Sequence, residues 1–421
     1  MKVILWGINY RPEATGIAPF NAELAEFLTR GDHDVSVVTG FAYYPRWEKE
    51  APDKYRLYRT DQINGVRVFR CAQYVPKAVT TAKRILHELS FGLSSLLRVL
   101  FLPRPDIYIV VSPPLFLGFC AWIATVVKRS QYIFHVQDLQ PGAAVGLGMV
   151  KGKGFIRALY ALERFAYRHA AAVSGISDGM MAEFRLKGVK AKKRIYFPNW
   201  LRGASQAQPS SGAFRRKFNL PADVLLAVYS GNLGRKQGID ILLEAAAALE
   251  GKPVVLVIAG AGADREALVA RVAERSLTRL RLLPLLSDED YANMLADADV
   301  GLITQASGTG QYFFPSKLLS LLQAGLPVAT VADLDSELAR AVAEGGFGLN
   351  VKPGQAAELA AILIRLSGDP AERQRLREQT KWVQRFSPQA VLPLFVRQLE
   401  SLVGFRGADA SIVAESEPSR L

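Results

Sequence analysis

Cysteine is nearly absent: Cys71 and Cys120 are the only two among 421 residues. Both sit in apolar surroundings, without a CxxC pair or a Cys/His cluster. A disulfide framework and a structural zinc site are disfavoured, and a reducing compartment fits. No export signal is expected either. Met1-Lys2 leads straight into VILWGI, which is too short for a signal h-region and has no cleavage site. Long uncharged stretches are scarce. Ile107 to Val127 runs 21 residues without a charge, long enough to cross a bilayer. Yet Pro113-Pro114 interrupts it, and the short β-branched IYIVVS before the prolines reads as a strand. LFLGFCAWIATVV after them reads as a buried helix with proline at its start.

Acidic residues are short in one half only. Residues 1–200 carry 28 Lys and Arg against 15 Asp and Glu, whereas residues 201–421 carry 24 of each. The whole net charge of +13 therefore belongs to the first half. An anionic partner is expected there, and the two halves have different work to do. Apolar residues make up 50% and charged residues 22%, an ordinary globular balance that excludes a largely disordered or fibrous chain. At roughly 150 residues per domain the length allows two or three domains.

The first half alternates short apolar runs with helical segments. Strands are expected at 3–8, 35–39, 65–70 (partly exposed), 107–111, 132–136 and 171–176, with helices between, including 19–30 and 81–102. GASQAQPSSG (203–212) is small and polar and reads as a linker. The alternation then restarts, with strands at 224–230, 253–260, 280–285, 300–304 and 327–332. Helices are expected near 239–249, 264–275, 288–297, 316–324, 335–344, 355–366, 370–384 and 388–404. Such a pattern specifies parallel sheets covered on both faces. The expectation is α/β: two Rossmann-like, doubly wound domains facing each other across a cleft. Their boundaries are 1–202 and 214–385, with a linker at 203–213, a C-terminal helix at 386–405 and a disordered tail at 406–421.

Ligands of open α/β sheets bind at the carboxyl ends of strands, and the informative residues fall there. GINYRPEATGIAPF (7–20) follows the first strand. Gly7 and Gly16 let backbone approach an anion at a helix N-terminus, and Tyr10, Glu13 and Thr15 crowd the same loop. It is not GxGxxG, and no acid ends the second strand, so NAD is disfavoured. SGNLGRKQGI (230–239) is the equivalent loop of the second domain. Gly231, Gly234 and Gly238 permit a tight turn, and Arg235 and Lys236 add charge, which together suit a phosphate. Asn232 lies in this loop. Gly260 and Gly262 in AGAGAD leave room for a nucleotide base against backbone. GTGQYFFPSKLLSLLQAGLPV (308–328) is the most specific stretch. It places Thr309 and Gly310 in a loop and opens a helix with Pro315, Ser316 and Lys317, a diphosphate site. Asp138 follows the YIFHV strand and points into the expected cleft, and His135 lies on that strand. Asp297-Ala-Asp299 looks like a DxD metal motif but ends a helix, and it reads as surface polarity. Glu266 and Glu274 read as a solvated helix face. No metal site is expected.

Over residues 1–405 the order of motifs resembles the retaining GT-B glycosyltransferases of family 4, nearest to the colanic-acid WcaI-type enzymes of bacterial exopolysaccharide synthesis. GINYRPEATGI, YYPRW (43–47), YVPK (74–77), KRILHELSF (83–91), HVQDLQPGAAVGLGM (135–149), ISDGMM (176–181), FPNW (197–200), SGNLGRKQG and FPSKLLSLLQAGLPV carry the resemblance. It implies that the C-terminal domain binds a nucleotide-sugar donor and the N-terminal domain the acceptor, with the last helix crossing back. The diphosphate falls to Gly231, Arg235, Lys236, Ser316 and Lys317. The acceptor side includes Tyr10, Glu13, Thr15 and His135, and Asp138 orients acceptor or donor sugar. Transfer of fucose from GDP-fucose to a lipid-linked glucose is likewise an implication of the resemblance. Two glutamates eight apart, usual in this family, are replaced by Tyr312 and Ser320. Asn232 stands where an arginine is usual.

The expected chemistry is sugar transfer with retention and without a metal or other cofactor. The basic first half suits a lipid-diphosphate acceptor at an anionic membrane surface, on the cytoplasmic side, with peripheral attachment. The runner-up is N-acetylhexosamine transfer from a UDP-sugar. An epimerase or phosphorylase-like enzyme would need its own catalytic carboxylates or cofactor lysine. A non-catalytic nucleic-acid binder has some support from YYPRW and KYRLYR, but no RRM, HTH or OB signature accompanies them, so no nucleic-acid partner is expected.

Overall fold

The apolar runs assemble into two separate sheets. The computed structural model describes residues 1–14, 16–78, 80–142, 152–202, 209–310 and 317–404. The chain divides into two compact units, Met1–Asn199 with Gln389–Leu421, and Trp200–Pro388. Residues 203–208 of the linker expected at 203–213, and the whole of the tail expected at 406–421, lie outside the described residues.

Among the described residues the first unit holds eight strands: β1 Lys2–Trp6, β2 Asp34–Gly40, β3 Tyr58–Ile63, β4 Val66–Cys71, β5 Ile107–Ser112, β6 Gln131–Val136, β7 Ala172–Gly175 and β8 Arg194–Tyr196. Their order is β3-β4-β2-β1-β5-β6-β7-β8. All neighbours are parallel except β3 and β4. Every residue of β5 is buried, as a strand covered on both faces requires. Helices α1 Ala18–Arg30, α2 Thr81–Phe101, α3 Leu117–Lys128, α4 Lys153–His169 and α5 Asp178–Leu186 connect the strands. The segment 107–127 is strand, turn and helix, as its prolines suggest. Both prolines precede α3 rather than opening it. Among the described residues no helix is long and apolar enough to cross a membrane.

Strand β3 was not legible in the sequence. Its residues YRTDQI are polar and alternate between exposed and half-buried, as an edge strand allows. The signal lies in the turn: Asn64 and Gly65 both have positive φ, 50° and 82°, the Asn-Gly hairpin geometry. With β3 on the edge, β4 becomes interior. That is why VRVFRC is mostly buried rather than partly exposed as expected.

Among the described residues the second unit has six parallel strands in the order β11-β10-β9-β12-β13-β14. They are β9 Leu225–Ser230, β10 Val254–Ala259, β11 Leu280–Leu283, β12 Val300–Thr304, β13 Val328–Val331 and β14 Gly348–Val351. Helices α6 Ala213–Lys217, α7 Asp240–Ala248, α8 Arg265–Glu274, α9 Asp288–Asp297, α10 Lys317–Gln323, α11 Glu337–Gly345, α12 Ala356–Gly368 and α13 Pro370–Glu378 cover it. A 3₁₀ segment, Gln379–Phe386, replaces the end of the long helix expected at 370–384. The strands β8 and β14 are too short to stand out as apolar runs. The order reverses between β9 and β12, so the crevice at their carboxyl ends is the place for a ligand.

The last helix, α14 Pro388–Val403, belongs to the first unit from Gln389 onward. Phe395 stacks on Phe197, Glu400 reaches His33 at 3.6 Å, and the Gln131 side chain donates to the Leu402 carbonyl at 2.9 Å. Along β6 the side chains alternate between faces. Phe134 meets Tyr167 of α4, and His135 meets Phe395 of α14.

Candidate active site

In the second unit, the loops after β9 and β10 are joined through backbone. After β9, the Gly231 N–H donates to the Ala259 carbonyl at 2.9 Å and the Leu233 N–H to Ala261 at 2.8 Å. A Cβ on Gly260 would lie 1.9 Å from the Gly231 carbonyl oxygen, and one on Gly262 would lie 2.1 Å from that of Leu233. The expected room for a nucleotide base is thus taken: both glycines exist so that the 231–234 backbone can lie on them. Across the crevice the Ala306 N–H donates to the Lys236 carbonyl at 3.0 Å. Thr309 Oγ1 donates to the Ala306 carbonyl at 2.7 Å, so its hydroxyl is engaged in the loop itself.

Lys317 opens α10 and reaches back to β9. Its Nζ stands over the Tyr229 ring, 3.8 Å from the centroid. Gly231 has φ 140°, a conformation that favours glycine, and a Cβ there would come within 3.0 Å of that Nζ. Burial and the neighbouring Lys236 push the Lys317 ammonium down to about 7. Two cations sharing a confined space disfavour each other's charge, and an anion placed between them would reverse that. Arg235 is exposed and opens a 3₁₀ turn, Arg235–Gln237, beside them. Asn232 is exposed, with its amide 3.4 Å from Gln237 Oε1, and its carbonyl accepts the Tyr229 hydroxyl at 2.9 Å.

Other expected donor residues are placed differently. Ser320 faces the phenol of Tyr291 on α9, whose pKa burial raises and the serine lowers. A Cβ on Gly310 would lie 2.5 Å from that of Ser336. Together with Ser307, Gly308, Asp333 and Lys352 these residues line a hollow of about 660 Å³. Asp333 accepts from the Ser307 hydroxyl at 3.0 Å and the Gly308 N–H at 2.7 Å, a loop anchor that no local motif announces. Pro315, Ser316 and Thr15 lie outside the described residues.

The pair Asp297 and Asp299 is not surface polarity. Asp297 accepts the N–H groups of Gly212 and Arg215, at 2.6 and 3.0 Å. Asp299 accepts the Arg215 guanidinium at 2.9 Å and the Leu226 N–H at 2.8 Å. Both carboxylates anchor α6 and the start of β9, so their spacing is structural.

In the first unit the loop after β1 is built around Glu13. Its Oε1 accepts the N–H groups of Tyr43 and Tyr44, both at 2.9 Å, and its Oε2 accepts the Asn9 amide at 2.8 Å. Burial raises its pKa. The carboxylate therefore ties YYPRW to the first loop, and the expected acceptor contact is not open. Tyr10 is buried and its phenol is pushed far up by that burial. Gly16 has φ 67°, a left-handed position that favours glycine.

His135 is enclosed as well. The Gln137 amide lies 2.8 Å from its Nε2, and Ser174 Oγ lies 2.9 Å from its Nδ1. The rings of Phe197 and Phe395 cover it. Burial pushes its pKa down to about 3, so it stays neutral. It is a core histidine rather than an acceptor ligand. Asp138 sits half-buried at the carboxyl end of β6, its carbonyl accepting the Gln140 N–H at 2.9 Å.

Residues not singled out individually in the sequence complete this end of the sheet. His87 packs edge-on against Tyr43, ring centroids 4.5 Å apart, and Trp47 lies 5.3 Å away. Burial pushes its pKa down to about 4. Glu88 accepts the Gln140 amide at 3.2 Å, and Gln140 accepts the Leu115 N–H at 2.7 Å. The run KRILHELSF thus fastens α2 to the loops after β5 and β6.

Residues 15–200 match the glycosyl transferase 4-like domain and residues 210–382 the glycosyl transferases group 1 domain. WcaI of Escherichia coli (strain K12), named as a colanic acid biosynthesis glycosyl transferase, is 35% identical over 347 residues, 80% of this chain and 85% of that one. Among solved structures, sucrose-phosphate synthase of Thermosynechococcus elongatus superposes with TM-score 0.75 at 18% identity, over 96% of this chain and all of that one. HepE of Anabaena, in complex with UDP-glucose, does so with TM-score 0.69 at 16% identity, over 95% and 100%. At such identities the two structures speak for the fold. Two matched domains and the shared identity over most of both chains establish that this chain belongs to the GT-B glycosyltransferases of family 4, in the WcaI-type group.

Proposed function

We propose that this glycosyltransferase moves a sugar from a nucleoside-diphosphate donor to a saccharide carried on a lipid diphosphate, with retention at the anomeric carbon and without a metal. One observation carries the donor half of this reading: Lys317 Nζ, poised over Tyr229 at Gly231, shares its space with Lys236. A leaving diphosphate gains negative charge as the glycosidic bond breaks. Preorganised cations in a partly dry site stabilise that charge far more than water would. Lys317, Lys236 and Arg235 would supply them. The acceptor hydroxyl would attack from the leaving-group side and give its proton to a diphosphate oxygen, with Asp138 orienting one of the sugars.

The likeness to WcaI favours a colanic-acid-type sugar, and fucose from GDP-fucose is the donor we favour. A UDP-sugar, including an N-acetylhexosamine donor, is the second reading, supported by the UDP-glucose bound to HepE. The net charge of residues 1–200 supports work at the anionic inner face of the plasma membrane, with the protein attached peripherally from the cytoplasm.

The test is a panel of GDP-, UDP- and ADP-sugars scored by thermal shift and then by turnover on a lipid-diphosphate saccharide, with the product anomer read by NMR. GDP-fucose is expected to give the largest shift and a retained product. An inverted product, or turnover that requires a divalent ion, would overturn the mechanism.

A further inference from the structure

Helices α2, α3 and α4 are held side by side through two glycines. A Cβ on Gly92 of α2 would lie 2.5 Å from the Phe116 ring at the entry to α3. One on Gly118 of α3 would lie 2.4 Å from Ala166 of α4. Near the far end, the Lys128 ammonium of α3 donates to the Leu102 carbonyl just after α2 at 2.8 Å. The three helices therefore form one slab over the sheet.

Its outer side is apolar where a soluble surface is ordinarily polar. On α2 the exposed side chains Leu86, Leu89, Leu93, Leu97 and Phe101 recur every three or four residues, so they share an arc of about 120°. Phe101 is 86% exposed. Between Ile85 and Leu97 the only charged residue is Glu88, and it turns to Arg84 and Gln140. At the neighbouring end of α3, Val126 and Val127 are each 61% exposed. A contiguous apolar patch of this kind marks an interaction surface.

Helix α4 adds the complementary charge. Lys153, Arg157, Arg164 and Arg168 are all exposed and fall within an arc of about 60°. The single acid of that helix, Glu163, is buried and paired with Lys187 at 2.9 Å. An aliphatic row without hydrogen-bonding groups, bordered by cations with no exposed carboxylate on α4, is complementary to an anionic bilayer surface.

We infer that the outer face of α2, α3 and α4 is the surface by which the protein lies on an anionic membrane, the α2 leucines entering the boundary between headgroups and acyl chains and the α4 cations resting on lipid phosphates. This rests on the proposed membrane-bound acceptor and adds which surface docks and how deeply. The same side chains make it an insertion in the interface plane, not a span.

Flotation with vesicles of phosphatidylglycerol and phosphatidylcholine, and with phosphatidylcholine alone, tests it. The full chain is expected to float with the anionic vesicles. The double variant Leu93→Asp/Leu97→Asp is expected to lose roughly 100-fold in vesicle affinity, from two leucines no longer entering the apolar layer. Arg157→Ala/Arg164→Ala is expected to lose binding to anionic vesicles at low salt. The melting temperature and the shift on adding GDP or UDP should be unchanged in both, since these side chains are exposed and lie in the other unit from Lys317. If the full chain floats and Leu93→Asp/Leu97→Asp floats equally well, the assigned face is wrong while the membrane reading stands. If the full chain does not float, both fail. A dimer dissolved by the leucine substitutions, without vesicle binding, would assign the face to a second copy and overturn the inference.

Discussion

Lys317 Nζ stands 3.8 Å from the centre of the Tyr229 ring, so an ammonium from the helix after one loop is seated on the aromatic end of the strand before another. The ring attracts the cation, while burial and Lys236 oppose its charge and bring its pKa to about 7. Replacing Lys317 or Lys236 by alanine is expected to lower turnover about 100-fold each, by removing a preorganised charge from the leaving group. Steady-state kinetics at saturating nucleotide sugar measure it, and near-wild-type rates in both variants would remove the diphosphate from this position.

The same group predicts a pH dependence. The free protein loses the Lys317 proton as pH rises through about 7, and only the ammonium form holds an anion. KM for the donor should therefore climb above pH 7, by up to about tenfold per pH unit. Lys317→Arg keeps its charge over this range and should flatten that limb. For stability the sign is opposite. The unfolded lysine keeps its proton to about 10.5, so the unfolded chain binds more protons between 7 and 10.5, and this group adds stability as pH rises across that window.

Gly260→Ala and Gly262→Ala each put a methyl group against a carbonyl oxygen of the 231–234 backbone, at 1.9 and 2.1 Å. Neither neighbour is a side chain that can swing away. Each substitution is expected to destabilise the protein by about 1–3 kcal/mol and to displace the loop next to Lys317. Thermal melts should fall, and nucleotide binding should weaken beyond what the melt explains. Unchanged nucleotide binding in both would separate this loop from the site.

Glu13→Ala removes the acceptor of two backbone N–H groups, those of Tyr43 and Tyr44. Leaving a buried donor unpaired costs about 1–3 kcal/mol, so a drop of several degrees in Tm is expected. Glu13→Gln keeps an acceptor and should recover much of it. Equal melts for Glu13→Ala and the wild type would contradict the anchoring role.

Phe395→Ala uncovers His135. The stacked ring on Phe197 is lost, at a cost of about 3–5 kcal/mol. The imidazole pKa should rise from about 3 toward 6.5, followed by NMR titration. In the wild type the folded ring resists protonation that the unfolded chain accepts near 6.5. This residue therefore withdraws stability as pH falls from 6.5 toward 3.

Much of this protein is determined by the sequence alone. Buried runs such as IYIVVS and VVLVIA specify parallel strands covered on both faces. The glycine-and-cation loops fall just after strands, where ligands bind. The spacing of Leu86 to Phe101 sets an apolar helix face, and the charge of residues 1–200 is read by counting. What a residue faces was decided only by tertiary structure. Gly260 and Gly262 receive backbone instead of a base, Ser320 meets Tyr291, Asp297 holds α6, and His135 lies beneath Phe395 from far later in the chain. Periodicity and backbone conformation are local and leave their mark on neighbouring residues. Burial and pairing depend on which distant segment arrives, and that is settled when the sheets and helices close over one another.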